Sequence, residues 1–233
     1  MPPTSQQVIH RNQSFFYPVV PFKKGVDRLK LMDFTENNSE LTTDIIENTN
    51  SFSEYIDRTL SIGNYKFGIG GYNELRTVYS RSALFNSKPG DEPRRLHLGT
   101  DIWGKTGTPV SAFMGGMVHS FANNDQFGDY GPTIVLVHQL EGMAFYTLYG
   151  HLGIADIANK TEGQYISRAE KIGHFGEPRE NGQWPSHLHF QVIMDIGMYE
   201  GDYPGVCKFS ERQHFLANCP DPDSILQLNS YIS

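Results

Sequence analysis

The stretch Ser186-His187-Leu188-His189-Phe190-Gln191-Val192 constrains this chain more than any other. Two histidines spaced i, i+2 on an apolar run read as part of a strand. In a strand such residues point to one face, about 6.7 Å apart, so both imidazoles converge on one small volume. That is a metal-site spacing. Two other fragments carry matching chemistry, His97-Leu98-Gly99-Thr100-Asp101 and Tyr149-Gly150-His151-Leu152. The three fragments are expected to fold together around one ion.

The pair His97 and Asp101 needs a bend. Four residues of flat strand separate the two Cα atoms by about 13 Å, too far for both side chains to reach one ion. Gly99 offers a bend or bulge that shortens the gap. A helix would also bring i and i+4 together, but Gly99 and Thr100 argue against one. Imidazoles with one carboxylate form a zinc-type set, whereas magnesium and calcium take oxygen ligands. Three protein ligands leave a fourth position for water, which marks a catalytic rather than a structural zinc site. The residues alone do not decide whether His187 or His189 binds the ion. Surplus histidines are available for acid–base work near neutral pH.

From Val78 onward the chain shows short strands and glycine turns, which read as an all-β core. Residues 133–138 form a strand, and Glu141-Gly142 turns it into a second strand over 143–149. Residues 165–168 and 171–175 are further short strands, and 187–194 is the central one. Residues 1–75 read as an N-terminal arm and helical appendage. Within it, 17–22 is extended because of its prolines, and 28–34 is a strand. Residues 41–60 are helical, with a capping box at Ser51-x-x-Glu54 and Phe52, Tyr55, Ile56 and Leu60 on one face. Gly68-Ile69-Gly70-Gly71-Tyr72-Asn73 reads as a glycine-rich loop. Residues 76–196 form the catalytic β domain, and 197–233 a loop-rich extension packed on it.

Composition narrows the function classes. The net charge of −7 comes without a basic stripe, so nucleic acid is not an expected partner. No apolar run approaches the roughly 18 residues that span a bilayer. Met1-Pro2-Pro3-Thr4-Ser5-Gln6-Gln7 has neither a basic n-region nor an apolar h-region, so it does not read as a signal peptide. As written, the chain reads as cytoplasmic, with a signal already removed or export by another route as the alternatives. Cys207 and Cys219 are not a Cys-x-x-Cys clamp and are read as two buried thiols, with one disulfide as the alternative.

His97-x-Gly99-x-Asp101, followed by Gly107-Thr108-Pro109-Val110 and Gly116-x-Val118, resembles the core of the lysostaphin/LytM-type zinc endopeptidases, family M23. Tyr149-Gly150-His151-Leu152, Gly163-Gln164-x-Ile166 and His187-Leu188-His189-Phe190 follow in the family's order. The resemblance covers roughly residues 90–195. It implies a mainly β fold, a twisted antiparallel sheet with the metal in a groove. It implies one Zn²⁺ held by His97, Asp101 and His189, with His151 and His187 as the catalytic pair. It also implies hydrolysis of peptide bonds in peptidoglycan or a related peptide. One free histidine would take a proton from water, and the other would stabilise the oxyanion and protonate the leaving amine. The alternatives are a non-catalytic peptide- or peptidoglycan-binding module and a cytoplasmic metal-dependent hydrolase. All five positions are filled here, which favours hydrolysis. The family is mostly exported and often basic, whereas no signal peptide is read here and the chain is acidic.

The remaining singled-out residues take blander readings. His119 and His138 are core or groove-wall residues, His174 is structural, and His10 and His214 lie on the surface. Some relatives block zinc with an upstream asparagine, but Asn73 is read as a turn residue. Arg94 and Arg95 are read as exposed charges, with binding of a substrate carboxylate as the alternative. Trp184 is a groove wall or a packed anchor. The segment 176–185, with Glu177, Arg179, Glu180 and Trp184, is expected to rim the groove and set substrate choice.

Overall fold

A computed structural model describes residues 3–232 of the chain. Its strands are β1 (Leu29–Met32), β2 (Phe67–Gly70), β3 (Leu96–His97), β4 (Thr100–Trp103), β5 (Pro109–Ser111), β6 (Gly116–Asn124), β7 (Gly131–Leu140), β8 (Met143–Gly150), β9 (Tyr165–Ile166), β10 (Lys171–His174), β11 (His187–Ile193) and β12 (Val206–Cys207). Eight of them form one sheet in the order β1-β2-β4-β11-β8-β7-β6-β9. The fold is mainly β, as expected. The sheet is mixed rather than wholly antiparallel, because β1 and β2 pair in parallel. Two small ladders, β10–β5 and β12–β3, complete the strands.

Strand β11 lies between β4 and β8, and all seven of its residues are buried. A strand covered on both faces reads as a continuous apolar run, which fits Leu188, Phe190, Val192 and Ile193. Its polar residues His187, His189 and Gln191 are the exceptions, and all three share the face turned to the functional site. The β7–β8 hairpin closes through Glu141 and Gly142, both at positive φ, a turn that matches the twist of its strands.

Residues 3–75 are tied into the body more closely than an appendage. Strands β1 and β2 extend the main sheet, and β2 pairs directly with β4. Helix α1 (Ser5–Asn12), which the sequence reading passed over, is opened by a Thr4–Gln7 capping box and buries Ile9 in the main core. Helices α2 (Thr43–Glu47) and α3 (Thr49–Ile62) fill the expected helical region. Helix α3 begins earlier than expected. Asn48 is its cap and accepts the Ser51 N–H at 3.0 Å, so Ser51 sits inside the first turn. Phe52, Tyr55, Ile56 and Leu60 are buried, and Phe52 packs against Trp103 and Trp184.

The first half of the expected glycine-rich loop, residues 68–70, belongs to strand β2. A Cβ on Gly68 would stand 2.6 Å from Met32, and one on Gly70 would stand 2.7 Å from the Arg76 guanidinium. These glycines admit close packing. Asn73 follows in a turn at φ 56°, with its N–H donated to the His97 carbonyl. Cys207 and Cys219 are buried free thiols.

Candidate active site

Strands β4 and β11 pair so that Asp101 lies opposite His189. His97 belongs to β3, in a different ladder, and the chain turns at Leu98-Gly99 between the two. This is the bend expected from Gly99. The glycine has a second reason: a Cβ there would stand 2.5 Å from the His189 ring. His97 Nε2 is 3.2 Å from Asp101 Oδ1 and 3.0 Å from His189 Nδ1, and His189 Nδ1 is 3.0 Å from the same carboxylate oxygen. The three side chains are almost fully buried.

Outer partners set which nitrogen of each ring faces inward. His97 Nδ1 donates to the Gly71 carbonyl at 2.8 Å, which leaves Nε2 as a lone pair. His189 Nε2 donates to Gln191 Oε1 at 2.9 Å, which leaves Nδ1 as a lone pair. The Gln191 amide has its own orientation fixed, since its Nε2 donates to the Pro204 carbonyl at 3.1 Å. Two imidazole lone pairs and one carboxylate oxygen therefore meet at one point. Such a donor set suits a tetrahedral divalent cation with an open position.

His151 and His187 lie beside this group. Their ring centroids are 4.0 Å apart, and His187 stacks on Trp103 at 3.9 Å. His151 Nδ1 donates to the Asn181 carbonyl and His187 Nδ1 to the Pro185 carbonyl, both at 2.8 Å. Each ring is left with Nε2 as its free base. Burial pushes His187 down to about 4 and holds His151 well below the usual imidazole range, so both are neutral at pH 7. His151 sits at φ 61°, a conformation non-glycine residues seldom adopt, just beyond the end of β8. The four histidines and Asp101 expected at the site are thus brought together.

A cleft of about 270 Å³ opens over the group. Aromatic side chains line it, including Tyr79, Phe85, Trp184, Tyr130 and Tyr203. Tyr130 places its ring 5.0 Å from His189 and donates its hydroxyl to the Tyr203 carbonyl. Arg94 also reaches the cleft, half-buried and held by the Leu84 carbonyl, which differs from its reading as an exposed charge.

The 176–185 segment differs from expectation. Glu177 and Arg179 pair with each other on the outside, and neither lines the cleft. Glu180 accepts the backbone N–H groups of Glu177 and Ile154. Trp184 is 4% exposed, packed on Phe52 and Tyr79, and also lines the cleft, so it is both anchor and wall. Asn181, which the sequence reading did not single out, is buried. Its carbonyl holds His151, and its side chain accepts the Trp184 N–H. His138 is buried between Gly115 and Thr147, His174 pairs with Asp156, and His119 bonds Ser120.

Sequence reasoning also passed over Arg76, Glu74 and Gln191. Gln191 had a legible signal, since 187, 189 and 191 share one face of a strand. Arg76 had none. It reaches Asp101 from 25 residues away.

Residues 95–199 match the family model for peptidase family M23. An L-Ala–D-Glu endopeptidase of Bacillus subtilis is 28% identical over 149 residues, covering 62% of this chain and 42% of that protein. The chain thus spans less than half the length of that relative. A zinc-containing peptidase from Vibrio cholerae is 27% identical over 46% of this chain and 30% of its own, with a TM-score of 0.34. The catalytic domain of lysostaphin from Staphylococcus simulans is 24% identical over 57% of this chain and 80% of its own, with a TM-score of 0.38. The region that matches peptidase family M23 contains His97, Asp101, His151, His187 and His189.

Proposed function

We propose that the chain is a zinc-dependent endopeptidase acting on peptidoglycan or a related peptide, with His97, Asp101 and His189 as the zinc ligands. The observation that carries this is the convergence of His97 Nε2, His189 Nδ1 and Asp101 Oδ1 within 4.8 Å of one another, beneath an open cleft. Bound zinc would supply Lewis acidity, which activates water near neutral pH and polarises a carbonyl. The protein's own part is proton transfer and positioning. His151 and His187, neutral and fixed through Nδ1, each offer Nε2 as a base. One takes a proton from water, and that same proton is then given to the leaving amine, so the pair ends the step neutral as it began. The cleft walls exclude water and orient an extended peptide. The L-Ala–D-Glu endopeptidase relative supports a peptidoglycan stem peptide as the substrate class.

The test is hydrolysis of purified peptidoglycan and of synthetic stem peptides, before and after chelation and after zinc is returned. Cleavage lost on chelation and restored by zinc is expected. Cleavage that persists in chelator would contradict the zinc reading, and no cleavage with zinc bound would contradict the peptidase reading.

A further inference from the structure

The segment 67–79 lies outside the matched family region, yet it reaches the centre of the site. Arg76 has a side chain 1% exposed and donates from Nη1 to Asp101 Oδ2. Its Nε donates to Glu74 at 2.6 Å, and its Nη2 donates to the Gly71 carbonyl at 3.2 Å. That same carbonyl accepts the Nδ1–H of His97. One guanidinium therefore bonds one ligand residue, Asp101, directly and shares the outer partner of another, His97. Room for it comes from Gly70, where any Cβ would collide with Nη2.

We propose that Arg76 is a positioning residue of the metal centre: it occupies Oδ2 of Asp101, so that Oδ1 alone faces the ion. This rests on His97, Asp101 and His189 being the ligand set. A free aspartate offers both oxygens and can bind an ion through one or two. A charge-assisted hydrogen bond to one oxygen removes that choice. Neutralising a buried aspartate would need no third charge. A guanidinium beside a bound dication, however, is repelled, and a buried cation without compensation is costly. Glu74 supplies that compensation with a side chain only 14% exposed. The Glu74–Arg76–Asp101 arrangement is thus balanced for an ion at Oδ1.

The test measures metal binding directly on the whole chain, without substrate. Zinc affinity is measured by competition with a chromophoric chelator for the wild type, Arg76→Gln and Glu74→Gln. Folding is monitored by circular dichroism, and the cobalt(II)-substituted forms are compared by visible absorption. Arg76→Gln is expected to bind zinc about 10–100-fold more weakly. Its cobalt bands should shift and weaken as Asp101 becomes free to bind through both oxygens. Glu74→Gln should weaken zinc in the same direction with a smaller effect. A purely structural role predicts lower stability with unchanged affinity and unchanged cobalt bands, and that result overturns the proposal. If Arg76→Gln does not fold, Glu74→Gln decides: a loss of affinity supports the proposal, and none overturns it. A wild-type chain that binds no zinc overturns the reading of the site and this inference with it. A wild type that binds zinc, with both variants unchanged, overturns this inference alone.

Discussion

Nε2 of His97 and Nδ1 of His189 stand 3.0 Å apart, and the other nitrogen of each ring already has an acceptor. The Gly71 carbonyl takes the proton of one ring and Gln191 Oε1 that of the other. Two lone pairs at that separation repel, and the Asp101 carboxylate oxygen beside them adds negative charge. A cation relieves all three at once.

Gln191 is therefore expected to matter for metal binding although it does not touch the ion. Gln191→Leu removes the acceptor that fixes the His189 tautomer and should weaken zinc about 10–100-fold. Gln191→Glu keeps an acceptor and should retain more affinity. Chelator competition reads both. Equal affinity in Gln191→Leu and the wild type would show that the tautomer needs no such lock.

His151→Ala and His187→Ala should keep zinc and lose about 10²–10⁴-fold in activity, the usual worth of a proton-transfer group. Metal content and peptide hydrolysis are measured on the same preparations. If His187→Ala loses zinc while His189→Ala keeps it, the roles within the His-x-His pair are exchanged.

The central strand was legible because His187, His189 and the apolar residues between them carry a period of two. The turn at Gly99 was legible because flat strand could not join His97 to Asp101. Strand β2 was not, because glycine weakens strand propensity. Gly68 and Gly70 are explained only by Met32 and Arg76, which pack against them through the tertiary fold. The start of α3 was misplaced because Asn48 and Ser51 are both competent caps, and the cap that won lies one turn earlier. The charges of 176–185 were expected at the groove because they precede β11. Their side chains instead pair outward and cap backbone N–H groups.

Within that segment, the effects of substitution should divide sharply. Glu177→Ala and Arg179→Ala remove an exposed pair worth about 0–1 kcal/mol and should leave stability and peptide selectivity unchanged. Trp184→Ala empties a packed site and should cost about 3–5 kcal/mol. Trp184→Phe should keep the fold and alter selectivity between peptides. Denaturant melts and parallel assays on several peptides provide the check. Altered selectivity in Glu177→Ala would restore the charged rim.

His138 should make the fold acid-sensitive apart from the metal site. Burial lowers it from 6.5 to about 4, between the Gly115 carbonyl, the Thr147 hydroxyl and the Phe113 and Phe145 rings. Between those two values the unfolded chain binds the proton and the folded chain does not. Stability therefore falls as pH drops from about 6.5 towards 4, by at most about 3 kcal/mol. Melting curves of the wild type and His138→Gln at pH 7.5 and 5 should show the larger acid loss in the wild type. Equal losses would exclude His138 as a source.

The most direct test is zinc per chain, measured by elemental analysis on the wild type, His97→Ala, Asp101→Ala and His189→Ala, each confirmed folded. One zinc per wild-type chain and strongly reduced zinc in all three variants is the predicted result. One zinc per chain retained in both His97→Ala and His189→Ala would contradict the assignment.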